Sequence, residues 1–426
     1  MASPLTTTTA TATTTTTATP KARPRTTTAM CAAMQAIGGG LGWSLLPPLM
    51  PKIARDLSIS HSMGGLVWGA APLGIALAAP LGGAAVDRFG ARRVAGFAML
   101  IGALACASRA LAFDGWSLAL SMFVFGLHVG FVAPAIPKAL AGHVPLTALG
   151  RANGLALLGY TLGTAATVLT ARTMLMPLLG GWRPTMVFAA GAMALMGVLW
   201  LLVTRDRIAL SRHASLRQVL ALARDRQLLR VAAIHFLLFG GYLALLGLLP
   251  RALWDAGMKP QQIGLAVAGW LVCAGIANFA GPWLSDRLGL RRPVLLAGAA
   301  LAGSALALMA LLPSGAALGP LALAALGGGV IAPLVLSLPM ELPGIGVAKA
   351  GGALGLLMLV GQAGGFLFPL LTGAIAGRWG FAAALGVLAV GHAAIIIPAL
   401  GLRETGRNRA QAAPVAPTQA AERVVA

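Results

Sequence analysis

The stretch GGAAVDRFGARR at residues 82–93 recurs nearly two hundred residues later as GPWLSDRLGLRR at residues 281–292. Six residues return at one constant offset: Gly82, Asp87, Arg88, Gly90, Arg92 and Arg93 correspond to Gly281, Asp286, Arg287, Gly289, Arg291 and Arg292. Asp56 recurs as Asp255 and Gly130 recurs as Gly329 at the same offset, so the two copies align without a gap. A register that holds over so long a stretch indicates an internal duplication. The chain is therefore predicted to fold as two related halves.

Both halves are too apolar for a soluble protein. Of the 426 residues, 58% are hydrophobic and 10% are charged, against about 25% charged in soluble domains. The apolar residues form continuous runs of the length that crosses a bilayer as a helix, without the alternation of a membrane-spanning strand. We count twelve such segments, at residues 29–50, 62–86, 93–112, 117–141, 151–174, 184–203, 228–250, 262–285, 292–312, 316–340, 348–376 and 381–401. The predicted fold class is an all-α membrane protein with twelve transmembrane helices in two pseudo-symmetric six-helix bundles.

The polar segments divide the chain into five parts. Residues 1–28 form a Thr-rich stretch without an apolar run, which predicts a disordered tail and no secretory signal. Two six-helix bundles at 29–203 and 228–402 flank a basic linker at 204–227, and a polar tail follows at 403–426. Because each half has an even number of spans, the two halves are predicted to run parallel, related by an axis along the membrane normal.

The formal net charge of +21 is spread over short loops between apolar segments. No basic polar domain with interleaved aromatic residues is present in the sequence, so we expect no nucleic acid partner but contact with an anionic lipid leaflet. If both termini face the cytoplasm, 23 of the 31 Lys and Arg residues lie on the cytoplasmic side. This asymmetry predicts cytoplasmic N- and C-termini. We expect a monomeric multi-pass protein of a bacterial cytoplasmic membrane.

The sequence resembles the major facilitator superfamily of secondary transporters. The resemblance covers residues 29–402 and rests on the six-plus-six repeat, the long basic central loop, and the D-R-x-G-x-R motif after both the second and the eighth segment. It implies a rocker-switch transporter with one substrate cavity between the halves, near the bilayer midplane.

The resemblance also implies a gating role for the two repeated loops. In the family, the carboxylate of the first loop, here Asp87, caps helix 11 near Ala348, and Asp286 would face helix 5 near Arg151. A carboxylate at a helix N-terminus is stabilised by the helix dipole. Such contacts form only when the cytoplasmic side is closed, and the flanking arginines would anchor the loops at the anionic leaflet. The alternative is a basic loop that sets topology without gating.

Polar residues deep in the apolar segments are the candidates for substrate binding. All ten Asp and Glu residues lie near segment ends, in loops or in tails, so the deep polar residues are neutral or basic. The candidates on helices that line the family's cavity are Gln35, Trp43, His128, Tyr160, His235, Tyr242, Asn278 and Gln362. Each could instead satisfy a contact between helices. Arg109 and Arg172 lie near outer helix ends, where snorkelling to the headgroups is cheap; Arg172 could instead attract an anion from outside.

The leading functional hypothesis is secondary transport of a small solute, with organic and inorganic anions as the favoured class. One alternative is efflux of a drug or metabolite by antiport, and an alternative of another class is a non-transporting sensor on the same scaffold. Catalysis is the weakest hypothesis, because the sequence has no nucleophile–base–orienter set, no metal-ligand cluster and no phosphate loop. We therefore expect no cofactor and no metal site.

Overall fold

The computed structural model describes residues 24–144, 146–205, 222–312, 318–343 and 345–406. These residues form helices joined by short turns, and eleven of the helices are long and apolar enough to cross a membrane. The last of the eleven contains a break at Gly380, where a φ of 84° ends one helix and starts the next. The predicted all-α membrane fold is confirmed.

The helices are numbered α1 to α12. The first half contains α1 in three consecutive parts (Pro24–Met34, Gln35–Trp43 and Leu46–Asp56), α2 (His61–Phe89), α3 (Ala91–Ala110), α4 (Gly115–His143), α5 in three parts (Leu146–Thr170, Ala171–Leu175 and Met176–Leu179) and α6 (Trp182–Val203). The second half contains α7 (Arg226–Asp255), α8 (Pro260–Leu288), α9 (Arg292–Leu311), α10 (Leu318–Glu341) and Gly346–Ala394, which Gly380 divides into α11 (346–379) and α12, continued by Ile396–Leu400.

The internal repeat is visible in the helix boundaries. Helix α2 begins at His61 and ends at Phe89, and α8 begins and ends at the positions 199 residues later, Pro260 and Leu288. The repeat also aligns the turns after these helices, where Gly90 has a φ of 86° and Gly289 a φ of 65°. Both motif glycines therefore occupy the positive-φ region that other residues rarely adopt.

The glycines at the start of the repeated stretch hold helices together. A side chain at Gly82 would overlap the backbone of Gly130 on α4, and one at Gly281 would overlap the backbone of Val330 on α10. Small residues let helices approach closely in a membrane, where packing rather than the hydrophobic effect drives association. The repeated Gly is thus a contact between the second and fourth helix of each half.

The middle of α1 is π-helical from Gln35 to Trp43 and carries four glycines. All four are covered by neighbours: Gly38 by Met99 of α3, Gly39 by the Tyr160 ring, Gly40 by the backbone of Gly163, and Gly42 by Phe125 and Met193. π-helical turns widen a helix and often occur at functional sites. Here the widened segment lies against α4, α5 and α6.

The turns define two ends of the molecule. The motif end carries Asp87 and Asp286 in the α2–α3 and α8–α9 turns, and the opposite end carries the turns after Asp56 and Asp255. The halves pack tightly at the opposite end, where side chains at Gly65 and Gly69 of α2 would overlap carbonyl oxygens of α11. The structure therefore shows the opposite end closed.

Two helices extend into segments that the sequence assigned to the polar tail and the linker. Helix α1 begins at Pro24, inside the predicted tail 1–28, and α7 begins at Arg226, inside the predicted linker 204–227. Proline favours the first turn of a helix because its missing N–H is not needed there. The remaining parts of the tails and the linker, at 1–23, 206–221 and 407–426, lie outside the described residues.

Candidate functional site

A buried hydrogen bond joins the halves on the inner side of the opposite end. The Trp68 indole Nε1 on α2 donates to the Leu243 carbonyl oxygen on α7, at 2.7 Å. Trp68 also meets Trp43 edge to face, with ring centroids 5.4 Å apart. The Trp43 Nε1 is buried without a hydrogen-bond partner. Trp43 thus lies where the halves touch, among aromatic side chains.

The two tyrosines of the chain meet in the region between the halves, which we call the cleft. Tyr160 on α5 and Tyr242 on α7 interact through their hydroxyl groups, and they are the only tyrosines in the sequence. The Tyr242 ring stacks on Trp270 of α8, with centroids 5.3 Å apart. The Tyr160 ring packs on Gly39, one helical turn from Gln35. Three predicted candidates, Gln35, Tyr160 and Tyr242, are therefore neighbours.

His235 and Gln362 lie on the motif-end side of the tyrosine pair. His235 is 7% exposed and covers Gly361, the residue before Gln362 on α11. The His235 Nδ1 and the Gln362 Oε1 are both buried without a hydrogen-bond partner. Buried polar groups are seldom left unpaired, so these atoms indicate that His235 and Gln362 form hydrogen bonds with a ligand or a water molecule. Among the described residues, His235 and Gln362 thus bring two unpaired polar atoms close together between the halves.

His128 lies inside the first half and not in the cleft. It is 2% exposed, packs on Gly102 of α3, and its Nδ1 lies 2.7 Å from the Phe125 carbonyl oxygen. Its depth along α4 is what the sequence predicted, but it faces α3. Asn278 is on an exposed face of α8, next to Phe279, which is 85% exposed. Neither residue is brought together with the tyrosine pair.

Arg109 is fully buried, although its place near a helix end predicted snorkelling to the headgroups. Its Nη1 donates to the Gly42 carbonyl oxygen at 2.7 Å, and its guanidinium lies 4.2 Å from the Phe125 ring centroid. The Nε and Nη2 atoms have no partner. The widened segment of α1 offers the carbonyl and Phe125 offers the ring face, and together they offset part of the cost of burying this charge.

Arg172 lies at the opposite end, as expected from its position on α5, and contacts the other half. It is 9% exposed, and its guanidinium lies 3.8 Å from the ring centroid of Trp254 on α7. Arg55 of α1 approaches the same ring, at 5.3 Å. Arg55 and Trp254 were not among the candidates predicted from the sequence. The repeat is the signal that could have pointed to them, because Arg55 and Trp254 occupy equivalent positions in the two halves.

At the motif end, the first repeated carboxylate pairs within its own half. Asp87 forms an ion pair with Lys138 of α4. The contact expected between Asp87 and the start of helix 11 near Ala348 lies outside the described side chains. A cavity of about 230 Å³ opens beside the pair and is lined by five basic side chains, Arg88, Arg93, Lys138, His143 and Arg205.

The second repeated carboxylate belongs to a larger network. Arg291 donates to Asp286 at 2.6 Å and to Glu341 of α10 at 2.9 Å. The Glu404 carboxylate accepts from the backbone amides of Arg291 and Arg292. The contact expected between Asp286 and the start of helix 5 near Arg151 lies outside the described side chains. The two repeated loops therefore share a sequence but hold their carboxylates differently.

Two helical bundles that repeat each other in sequence, pack closely at one end and bring polar side chains together between them define the class of secondary transporters that work by alternating access. The sequence matches the Major Facilitator Superfamily over residues 32–344 and again over 252–425. The chain belongs to the Major Facilitator Superfamily. It is thus an integral, multi-pass membrane transporter of a small-molecule substrate.

Relatives and solved structures agree with this membership. The chain is 30% identical to the probable nitrate/nitrite transporter NarK2 of Mycobacterium tuberculosis (strain ATCC 25618 / H37Rv) over 274 residues, 62% of this chain and 67% of the relative. It is 28% identical to the nitrite extrusion protein of Bacillus subtilis (strain 168) over 284 residues, 64% of this chain and 68% of the relative. A bacterial homologue of the human lysosomal transporter Spinster shares the fold with a TM-score of 0.75 at 16% identity, covering 90% of this chain and 96% of that one.

Proposed function

We propose that this protein transports a small anion, bound between the halves by the neutral polar groups of Gln35, Tyr160, His235, Tyr242 and Gln362. The observation that carries the proposal is the buried His235 Nδ1 without a hydrogen-bond partner, which donates in one imidazole tautomer, next to the Gln362 amide and the tyrosine hydroxyls, whose N–H and O–H groups can also donate to an anion. Among the described residues, no carboxylate lies in this cleft to repel an anion. Nitrate and nitrite, the substrates named for two relatives, are of this class.

The orientation follows from the distribution of basic residues. The motif end carries the repeated arginines and the basic cavity, so we place it in the cytoplasm. The opposite end, where the halves pack closely, is then extracellular. We further propose that one chain contains the whole pathway and works as a monomer, with the loop arginines at the anionic leaflet.

The decisive measurement is counterflow of nitrate and nitrite in proteoliposomes. We expect accumulation in vesicles that contain the wild-type protein, and a loss of most of that activity in His235→Gln and Gln362→Leu. His392→Gln is the matched control. His392 is a buried histidine of the same half whose Nδ1 lies 2.9 Å from the Leu388 carbonyl oxygen, and it packs behind α7 against Gly241. Equal loss in the His235 and His392 variants would refute the assignment of His235 to the substrate site.

The same vesicles distinguish the alternatives. Efflux of a drug or metabolite predicts flux of organic cations or neutral compounds with no accumulation of any anion. A non-transporting sensor predicts ligand binding, seen as a thermal shift in detergent, without counterflow. Either result would overturn anion transport.

A further inference from the structure

The opposite end contains an arrangement that the central site does not use. Trp254 of the second half lies between two arginines of the first half, with Arg172 at 3.8 Å and Arg55 at 5.3 Å from its ring centroid. Arg172 is 91% buried, and its Nη1 has no hydrogen-bond partner. We call Arg55 and Arg172 the arginine pair.

The nearby carboxylates are occupied by other groups. Asp56 pairs with Lys52 and accepts from the Trp182 indole Nε1 at 2.9 Å. Asp255 lies 3.4 Å from the His61 Nε2 and 4.0 Å from the Arg251 Nε. The described part of this end therefore has more cationic than anionic groups, and the arginine pair has an aromatic ring where a carboxylate would be expected.

An aromatic ring is a replaceable partner for a guanidinium. A cation–π contact is a modest attraction, whereas a charge-assisted hydrogen bond to an anion is stronger and directional. Because Trp254 belongs to the other half, it must leave the arginine pair when the opposite end opens. Two like charges, one of them already short of a hydrogen bond, are then uncovered together.

We propose that the arginine pair is an outer binding site for a small oxyanion, formed when the opposite end opens and filled by the Trp254 ring when it closes. The inference rests on the proposed anion transport. An oxyanion at this site binds the open state only, so it shifts the population toward that state. The site lies about 18 Å from Tyr242, since twelve residues of α7 separate Tyr242 from Trp254 at about 1.5 Å per residue. It is therefore separate from the central cleft.

The test is a comparison of nitrate KM values measured from the two sides of oriented proteoliposomes. For Arg172→Gln and Arg55→Gln we expect the external KM to rise at least about fivefold, the effect of losing roughly 1 kcal/mol of binding, with the internal KM unchanged. Arg172→Lys keeps the charge and should recover part of the external affinity. Arg183→Gln is the matched control, because Arg183 lies 4.2 Å from the Trp182 ring centroid at the same end but within one half; its external KM should stay as in the wild type.

Each outcome is decisive. An unchanged internal KM shows that a variant is folded and keeps its central site. An external KM that stays unchanged in both Gln variants, or that rises equally in Arg183→Gln, overturns the outer site while leaving anion transport in place. Absence of anion flux in the wild type overturns the outer site together with the proposed function.

Discussion

Removing the indole N–H of Trp68 should open the end that the structure shows closed. In Trp68→Phe, the 2.7 Å hydrogen bond to the Leu243 carbonyl is lost. A typical intramolecular hydrogen bond contributes about 1 kcal/mol net. That carbonyl is on a helix and keeps its helical partner, so no unpaired buried acceptor adds to the cost. The smaller ring also loses part of its contact with Gly247 of the other half, because the indole Nε1 is one of the three atoms that face this glycine.

The expected shift is therefore about 1–2 kcal/mol against the closed state, which corresponds to an increase of about 5–30-fold in the ratio of open to closed molecules. Both lost contacts join the two halves, so the change acts on the closed state and spares the folding of each half. Transport should slow if opening toward the cytoplasm becomes limiting.

The measurement is the labelling rate of a reporter cysteine by a membrane-impermeant maleimide. Ile263→Cys is suitable, because Ile263 is 4% exposed and lines a small cavity at the opposite end, on the far side from Trp68. The three native cysteines are replaced by alanine in this background. We expect labelling to accelerate by the factor given above.

Trp182→Phe provides the control for the loss of an indole N–H. Its Nε1 donates to Asp56 at the same end, but both residues belong to the first half. Labelling should change little in this variant. If Trp68→Phe labels no faster than Trp182→Phe, the bond between the halves does not hold this end closed, and the reasoning fails.

Three further predictions concern the rest of the fold. Asp87→Lys and Lys138→Asp should each slow counterflow, and the double exchange should recover part of the rate because the ion pair is restored with reversed charges; a double variant as slow as the singles would contradict this. Arg291→Gln should lower the melting temperature in detergent, by an amount equivalent to about 1–2 kcal/mol of stability, because two carboxylates lose the cation that lies between them and one of these carboxylates is largely exposed. An unchanged melting temperature would show that the network is dispensable for stability. Gly159→Ala should destabilise the protein because the added carbon overlaps a carbonyl oxygen of α1, whereas Gly154→Ala on the same helix meets open space; equal melting temperatures would contradict the close packing.

The sequence predicted the parts of the fold that depend on local pattern and on repetition. Predicted segment 62–86 became His61–Phe89, and segment 262–285 became Pro260–Leu288. The D-R-x-G-x-R repeat marks two equivalent turns, in which Gly90 and Gly289 both have a positive φ. These features follow from hydropathy and from the conformational freedom of glycine, which act within a few residues of the chain.

The direction of polar side chains could not be predicted in the same way. Arg109, one residue from the end of its helix, was expected to reach the headgroups, yet it points inward to Gly42 and Phe125. His128 has the depth expected of a cleft residue but faces α3. The direction of such a side chain depends on how several helices pack together. It also depends on the π-helical segment of α1, which rotates the residues that follow it to another face of the helix.

The repeat also explains why some residues at equivalent positions differ where the halves meet. Duplication places equivalent positions opposite each other near the pseudo-symmetry axis, and identical side chains there would often repel, as two arginines would. Arg55 and Trp254 are equivalent and touch across this axis as a cation and a ring. Trp43 and Tyr242 are also equivalent, but Trp43 packs on Trp68 of its own half while Tyr242 reaches Tyr160 of the other. Residues shared by the repeat also lie between the halves, as Gly65 does against α11, but at Arg55 and Trp254 the divergence of the repeat supplies a contact that must break when the opposite end opens.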